Sequence, residues 1–176
     1  MLGIDPGTLV TGYGIVERRG TAVVAVASGQ ITNAAGTPLA ERLLAISSGL
    51  RGLIGSQTPT EVAIESAFYG KNAQSALKLG HARGVCLLCA AEHRLPITEY
   101  SPREVKKALA GNGNASKDQV RFMVATLLGE QPQRLRLDVS DALAVALCHL
   151  HRFHVPSRRY RDWKSFVEAH PERVHR

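Results

Sequence analysis

The sequence predicts an α/β fold in which a five-stranded mixed sheet is flanked by helices. Short β-prone runs alternate with longer stretches whose apolar residues recur at helical spacing. Apolar residues make up 44% of the 176 residues but aromatic residues only 5%, so the core must be built from Ala, Val, Ile and Leu packed between layers. A chain of this length has room for one domain with a core of its own.

The first three strands are predicted to form a β-meander. Residues 2–5, 10–18 and 22–31 are β-prone runs, and two turn-forming pairs separate them, Pro6-Gly7 and Arg19-Gly20. Short connections of this kind join neighbouring antiparallel strands. We therefore expect these three strands to lie side by side.

Helices and two further strands follow the meander. Pro38 introduces a helix whose apolar residues continue to Leu53, and residues 61–65 form a short apolar strand. A long helix is predicted over about 71–94, and residues 96–100 form the fifth strand. A strand that follows a crossover helix pairs in parallel, so the sheet should be mixed.

Capping signals mark the last helices. Ser101, with Pro at the first helical position and Glu104 three residues after the cap, begins a helix that stops at Gly111. Ser116 caps the next helix, and the last begins near Asp138 and continues to about Arg152. This order of elements is the one expected of a ribonuclease H-like domain over residues 1–152.

The charge balance favours an anionic partner. Twenty-two Lys and Arg residues stand against 15 Asp and Glu residues, which gives a formal charge of +7 and a pI near 9.7. Nucleic acid fits this charge, although basic enzymes without nucleic-acid partners are common. Residues 153–176 are predicted to be a mobile basic C-terminal tail, and the sequence leaves open whether it holds DNA or is only solvated.

The cysteines and the hydropathy of the sequence indicate where in the cell the protein is located. Three cysteines are an odd number in apolar sequence, which is typical of a reduced, cytoplasmic protein. Cys86 and Cys89 form a C-x-x-C pair within a helix without a second pair downstream, so we interpret them as small buried thiols rather than a zinc site. No apolar run approaches the roughly 20 residues that span a bilayer, and no membrane association is expected.

Four acidic residues occupy positions where either a functional or a purely structural role would explain them. We call them the carboxylate cluster: Asp5, Glu65, Asp138 and Asp141. The first two each end an apolar strand, where an Asx turn or a solvated strand end would also fit. The last two are three residues apart at a helix start, where capping is the alternative. Crowded acids repel one another unless a cation lies between them. The cluster therefore predicts a magnesium or manganese site, and two ions roughly 4 Å apart would support phosphodiester hydrolysis.

Several motifs match a known family. They are Gly3-Ile4-Asp5-Pro6-Gly7-Thr8 with Thr11-Gly12-Tyr13-Gly14, Ile64-Glu65 with Phe68, Lys71-Asn72-Ala73 continuing to Gly84, and Asp138 to Ala144. On these residues the chain resembles the RuvC family of bacterial Holliday junction resolvases, from Leu2 to about His151. The resemblance implies a homodimeric, magnesium-dependent enzyme that nicks two opposed strands of a four-way junction in recombination and repair. It also implies cooperation with a RuvA and RuvB branch-migration complex.

The same resemblance assigns roles to individual residues. It puts the carboxylate cluster at the catalytic positions, and some family members carry His at the position of Asp138. It favours base stacking for Phe68, which composition alone would place in the core. Lys106 and Lys117 fall on positions that contact phosphate. Further candidate DNA contacts are Lys71, Asn72 and Arg83, each of which could equally be a solvated surface group.

Some alternatives stay open at this point. Small residues recur along the helix that follows residue 71, at Ala73, Ala76, Gly80 and Gly84, and either packing within the monomer or dimer contact would explain them. His149 lies two helical turns from Asp141, so we expect it on the surface. Asp-x-Gly-Thr also begins the phosphate loop of actin-like ATPases, but the second loop of that class is missing. A ribonuclease of the same fold is the closer rival, and a non-catalytic junction-binding module would not need the four acids.

Overall fold

A computed structural model describes residues 1–66 and 73–152 of the chain. Five strands lie within these ranges: β1 (Leu2–Asp5), β2 (Val10–Arg19), β3 (Ala22–Thr32), β4 (Val62–Glu65) and β5 (Ile97–Tyr100). The α-helices are α1 (Leu39–Gln57), α2 (Ala73–Glu92), α3 (Pro102–Ala110), α4 (Lys117–Leu128) and α5 (Leu137–Arg152). A single 3₁₀ turn, Pro132–Arg134, precedes α5. The elements follow the predicted order, and most of their ends differ from prediction by one or two residues, while α1 continues four residues beyond Leu53.

The strands form one mixed sheet in the order β3-β2-β1-β4-β5. Strands β1, β2 and β3 pair antiparallel as the turn chemistry predicts, whereas β4 pairs parallel to both β1 and β5. In the β1–β4 ladder Ile4 is the partner of Ile64. Asp5 and Glu65 each follow these partners directly, so the two acids leave the same edge of the sheet side by side.

Helices cover both faces of the sheet. Helices α1 and α2 pack on the face that carries Leu2, Ile4 and Ile64, and α3, α4 and α5 cover the face that carries Val16 and Ala63. Helix α5 lies directly against β1 and β2. The predicted core of small and branched apolar residues is thus divided into two layers, and α5 is the helix that reaches the central strands.

Two glycines allow α5 to lie close to the sheet. A Cβ atom on Gly3 would be 2.1 Å from the Ala142 carbonyl oxygen, and one on Gly12 would be 2.1 Å from the Asp138 carbonyl oxygen. These distances are far inside van der Waals contact, so a side chain at either position would push the helix outward. The glycines therefore set how closely the N-terminal part of α5 approaches β1 and β2.

Both predicted N-caps, Ser101 and Ser116, are present, and each forms a capping box. The Ser101 hydroxyl accepts a hydrogen bond from the Glu104 amide at 3.3 Å, and the Ser116 hydroxyl accepts one from the Gln119 amide at 3.2 Å. In contrast, α5 begins at Leu137, so Asp138 lies inside the first turn and not at the cap. Its carboxylate bonds to a distant side chain, as described below, which removes the support for a capping role.

The prediction of a surface position for His149 is wrong. The side chain is 1% exposed, and α5 is buried along this stretch because the sheet lies on one side and α3 and α4 on the other. Nδ1 lies 2.7 Å from the Tyr100 hydroxyl and Nε2 lies 2.8 Å from Glu61 Oε2. These hydrogen bonds compensate for burial of the imidazole.

The cysteines are free and buried, as predicted. Burial, with a smaller effect from Cys89, raises the pKa of the Cys86 thiol to about 12, so this group stays protonated and unreactive. In the described part of the chain, no helix has the length and apolar character needed to cross a membrane. The predicted basic tail, 153–176, lies outside the described residues.

Candidate active site

The first candidate residue, Asp5, lies at the end of β1 and is partly buried. The turn that follows it is held by Thr11, whose hydroxyl donates to the Gly7 carbonyl oxygen at 2.7 Å. Asp5 is paired with Gly12 in the β1–β2 ladder, and the missing side chain of that glycine gives α5 the space to approach. The local sequence thus places Asp5 between the sheet edge and the start of α5.

Negative charge is concentrated around Asp5. Burial, together with repulsion from Glu65, Asp141 and Asp138, raises its pKa from 3.8 to about 7, while Lys117 partly opposes this rise. All members of the carboxylate cluster therefore lie within electrostatic range of Asp5, as the sequence predicts.

Glu65 lies beside Asp5 and has a similar environment. Burial is the main cause of its raised pKa, and the charge of Asp141 raises it further. Lys117 and Lys106 act in the opposite direction. The two lysines only partly compensate the acids, so the site has excess negative charge and would gain from a bound cation.

The two acids of α5 each have a polar partner. Lys117 Nζ donates to Asp141 Oδ2 at 2.7 Å, and the lysine side chain is 67% exposed whereas that of Asp141 is 18% exposed. Gln30 Nε2 donates to Asp138 Oδ2 at 2.8 Å. Gln30 lies on β3, 108 residues from its partner, and sequence reasoning did not single it out.

The donor set fits a divalent cation in its chemistry. Carboxylate oxygens are the preferred ligands of Mg²⁺ and Mn²⁺, and repulsion from the neighbouring acids adds to the effect of burial in raising the pKa of Asp5. However, no three His, Cys, Asp or Glu side chains within residues 1–66 and 73–152 are close enough together to hold a metal ion. Binding an ion through three or more of these side chains would therefore require the carboxylates to move closer together.

Two cavities adjoin the carboxylates. The larger, about 250 Å³, lies where β4 ends beside α3, α4 and α5, and its polar lining consists of Glu65, Asp141, Lys106 and Lys117. The smaller, about 200 Å³, is lined by Asp5, Glu65 and Arg83 among others. The two share Glu65 and Pro102, so both cavities lie beside the acids at this edge of the sheet.

The structure brings three of the predicted DNA-contact residues to this region. Lys106 and Lys117 line the larger cavity. Arg83 lines the smaller one, although its guanidinium is engaged with Glu99. Phe68, Lys71 and Asn72 lie outside the described residues, so their predicted roles remain predictions.

Comparison with known proteins identifies the family. A family model described as crossover junction endodeoxyribonuclease RuvC matches residues 1–149. The chain belongs to the RuvC family. A RuvC from Syntrophotalea carbinolica is 50% identical over 155 residues, which are 88% of this chain and 96% of the relative. A RuvC from Salinibacter ruber is 43% identical over 175 residues, covering 99% of this chain and 98% of the relative.

The structural comparison agrees with the RuvC assignment. T. thermophilus RuvC, solved in complex with a Holliday junction substrate, superposes with a TM-score of 0.81 at 33% identity, covering 86% of this chain and 93% of that one. The ribonuclease H-like prediction is thereby confirmed. All four carboxylates lie inside the segment that matches the RuvC model, and membership of this nuclease family implies dependence on a divalent metal ion.

Proposed function

We propose that the protein is a structure-selective DNA endonuclease that resolves four-way (Holliday) junctions by paired symmetrical nicks, in homologous recombination and DNA repair. The observation that carries this proposal is the meeting of four carboxylates and two lysines at one sheet edge, in a chain of the RuvC family. The solved T. thermophilus relative with its Holliday junction substrate supports the choice of substrate.

The carboxylate cluster would hold Mg²⁺, with two ions per subunit and with Mn²⁺ able to substitute. Such ions activate a water molecule and stabilise the leaving oxygen in phosphodiester hydrolysis. The protein's own contribution is to bring the acids together at one edge of the sheet. Because the pKa of Asp5 is about 7 in the free protein, this residue exchanges a proton for a cation close to neutral pH.

The lysines would hold the phosphate backbone of the junction. Lys117 is exposed and its ammonium is already at the site through Asp141. On substrate binding it can turn from the carboxylate to a phosphate oxygen, which leaves Asp141 available as a ligand. Lys106 lies across the same cavity and would give a second phosphate contact. Arg83, Lys71 and Asn72 are proposed as further DNA contacts, with Phe68 stacking on an unpaired base.

Assembly as a homodimer is proposed from the outer face of α2. Leu77 and Leu88 are 63% and 55% exposed. Cβ atoms built on Gly80 and Gly84 would meet no atom of the described residues within 4 Å, so packing within the monomer does not explain these glycines. A second copy covering this face would account for both features. Two active sites related by two-fold symmetry would then cut opposed strands.

The cellular setting follows from the proposed substrate. A resolvase acts where junction DNA is formed, which in a bacterium is the cytoplasm, and the buried reduced thiols suit this location. Cooperation with the RuvA and RuvB branch-migration complex is proposed from family membership alone.

The function is tested with three matched substrates: a four-way junction, a linear duplex of the same sequence and an RNA–DNA hybrid, each with Mg²⁺. We expect symmetrical nicks on the junction, which Asp5→Asn abolishes while junction binding persists. Asp118→Asn is the matched control, since Asp118 is an exposed surface acid paired with Arg121. Equal cutting of the duplex, or preference for the hybrid, would contradict the resolvase proposal. Full cleavage by Asp5→Asn would contradict the role of the cluster.

Dimerisation is tested separately by sedimentation equilibrium. Leu88→Glu should shift the protein toward the monomer, whereas Leu44→Glu, an exposed position on α1, should not. A monomeric wild-type protein at concentrations that support paired nicking would contradict the proposed dimer.

A further inference from the structure

A hydrogen-bonded chain of side chains leads from outside the carboxylate cluster to Asp138. Gln30 on β3 is paired with Gly12 on β2, and Gly12 is paired with Asp5 on β1. One row of the sheet therefore connects Gln30 to the catalytic edge. Above this row, Gln30 Nε2 donates to Asp138 Oδ2 at 2.8 Å.

Arg136 fixes the orientation of the Gln30 amide. Its Nη1 donates to Gln30 Oε1 at 2.9 Å. The amide oxygen thus faces a guanidinium, which can only donate, and the amide NH₂ faces a carboxylate, which accepts. The reverse orientation would place oxygen against oxygen and NH₂ against guanidinium, so the arrangement has one stable sense.

We propose that Gln30, oriented by Arg136, is a positioning residue that holds the Asp138 carboxylate ready for a divalent cation. The inference rests on the proposed function and deepens it. The Gln30 bond uses one lone pair of Oδ2, and Oδ1 with the remaining lone pair can still accept a cation. Asp138 lies in the first turn of α5 and is only partly buried, so the Gln30 bond fixes a side chain that packing does not fully enclose.

The hydrogen bonds from Arg136 through Gln30 to Asp138 can affect the metal affinity of the site, and they contribute little to the core. Gln30 is half-buried and Arg136 is exposed, so neither is part of the apolar layers. Partners that hydrogen-bond to metal ligands orient those ligands, and their loss typically lowers metal affinity about 10- to 100-fold. Since Gln30 is half-buried and contacts one of four acids, the lower end of this range is expected.

The test measures Mn²⁺ binding to the DNA-free protein by electron paramagnetic resonance, with Mn²⁺ alone as the probe. Gln30→Met keeps the length of the side chain and removes the donor, and it should weaken Mn²⁺ binding about tenfold. Arg136→Met should weaken binding less, and Arg136→Lys should restore it. Gln57→Met, at the exposed end of α1, is the control for the exchange itself and should bind as wild type.

A double variant of Gln30 and Arg136 distinguishes two explanations for weaker Mn²⁺ binding: loss of the positioning of Asp138, or loss of the positive charge of Arg136. If Arg136 acts through Gln30, the double variant should bind Mn²⁺ no more weakly than Gln30→Met alone. If the losses of Mn²⁺ affinity in the two single variants add up in the double variant, Arg136 does not act through Gln30 and the proposal is overturned. Junction cleavage as a function of Mg²⁺ concentration should show a higher half-saturating concentration in Gln30→Met, with kcat approaching wild type at saturation.

The stability of each variant completes the design. A lower Tm for Gln30→Met with unchanged Mn²⁺ affinity would overturn the proposal and make Gln30 a structural residue, as would tighter binding. The proposed function fails in a different way, because the wild-type protein itself would then bind no Mn²⁺ or leave junctions uncut. A wild-type enzyme that binds Mn²⁺ and cleaves, beside a Gln30→Met variant that matches it, would refute this inference alone.

Discussion

Asp5→Asn should make the metal-free protein more stable at neutral and higher pH. The carboxylate of Asp5 is buried beside three other acids, which raises its pKa from 3.8 to about 7. Below pH 3.8 the group is protonated in the folded and unfolded chains alike, so its charge has no effect on stability. Between these two values the unfolded chain has released the proton and the folded chain retains it, and wild-type stability therefore falls as the pH rises.

The size of the effect follows from the same two values. The interval between 3.8 and about 7 corresponds to about 4 kcal/mol at pH above 7. Asparagine must also be partly desolvated, and Asp5 retains some contact with solvent, so we expect a net gain of about 2 kcal/mol for the variant. For a chain of this size, this corresponds to a rise in Tm of roughly 4–8 °C.

The assay is differential scanning calorimetry in EDTA from pH 4.5 to 8.5. The difference in Tm between Asp5→Asn and wild type should grow up to about pH 7 and then level off, and saturating Mg²⁺ should reverse it by stabilising only the wild type strongly. Asp118→Asn, which removes an exposed acid, should change stability by no more than about 0.5 kcal/mol throughout. A variant less stable than wild type in EDTA at pH 8, or a difference independent of pH, would refute this reasoning.

Three further outcomes follow from the packing and charges. Gly12→Ala places a methyl group 2.1 Å from a carbonyl oxygen of α5. We therefore expect the free energy of unfolding, measured by chemical denaturation, to fall by about 1–3 kcal/mol, and cleavage to weaken. Gly52→Ala, with open space around it, is the control and should not destabilise the protein. Lys117→Met removes a cation that lowers the pKa of Asp5, so ¹³C NMR titration of the metal-free protein should give a higher pKa for Asp5, and an unchanged value would contradict the placement of Lys117. His149→Phe breaks one buried and one partly buried hydrogen bond and should cost about 2–4 kcal/mol. Cleavage per folded molecule should stay near that of wild type.

Local chemistry in the sequence predicted much of the fold. Turn-forming pairs, helix caps and the spacing of apolar residues depend on neighbours within a few positions, so the strands and the starts of α3 and α4 could be predicted. The convergence of Asp5 with Glu65 followed from one further step, since each ends an apolar strand and β1 and β4 are parallel neighbours. The resemblance of the motifs to the RuvC family then predicted four-way junction DNA as the substrate.

Other features depend on contacts that sequence spacing does not encode. Gln30 and Asp138 are 108 residues apart, and an isolated Gln on a strand gives no sign of its partner. His149 was misplaced because helical spacing from Asp141 says nothing about what covers both sides of α5. The close packing of α5 on β2 did have a signal in the sequence, which is the presence of Gly12 and Gly14 two positions apart. Glycines at every second position of a strand indicate a face on which another backbone lies closely.

The position of α5 links these features to the site. Its acids can approach Asp5 only because glycines replace side chains on β1 and β2, and the same approach raises the pKa of Asp5 by burial and repulsion. Close packing of the helix thus produces electrostatic strain at its first turn. Lys117 relieves part of that strain from outside the acid cluster, through a bond to Asp141 that a cation can replace. Binding of a metal ion would therefore reduce the repulsion among the acids of the free protein, and the energy released would contribute to binding.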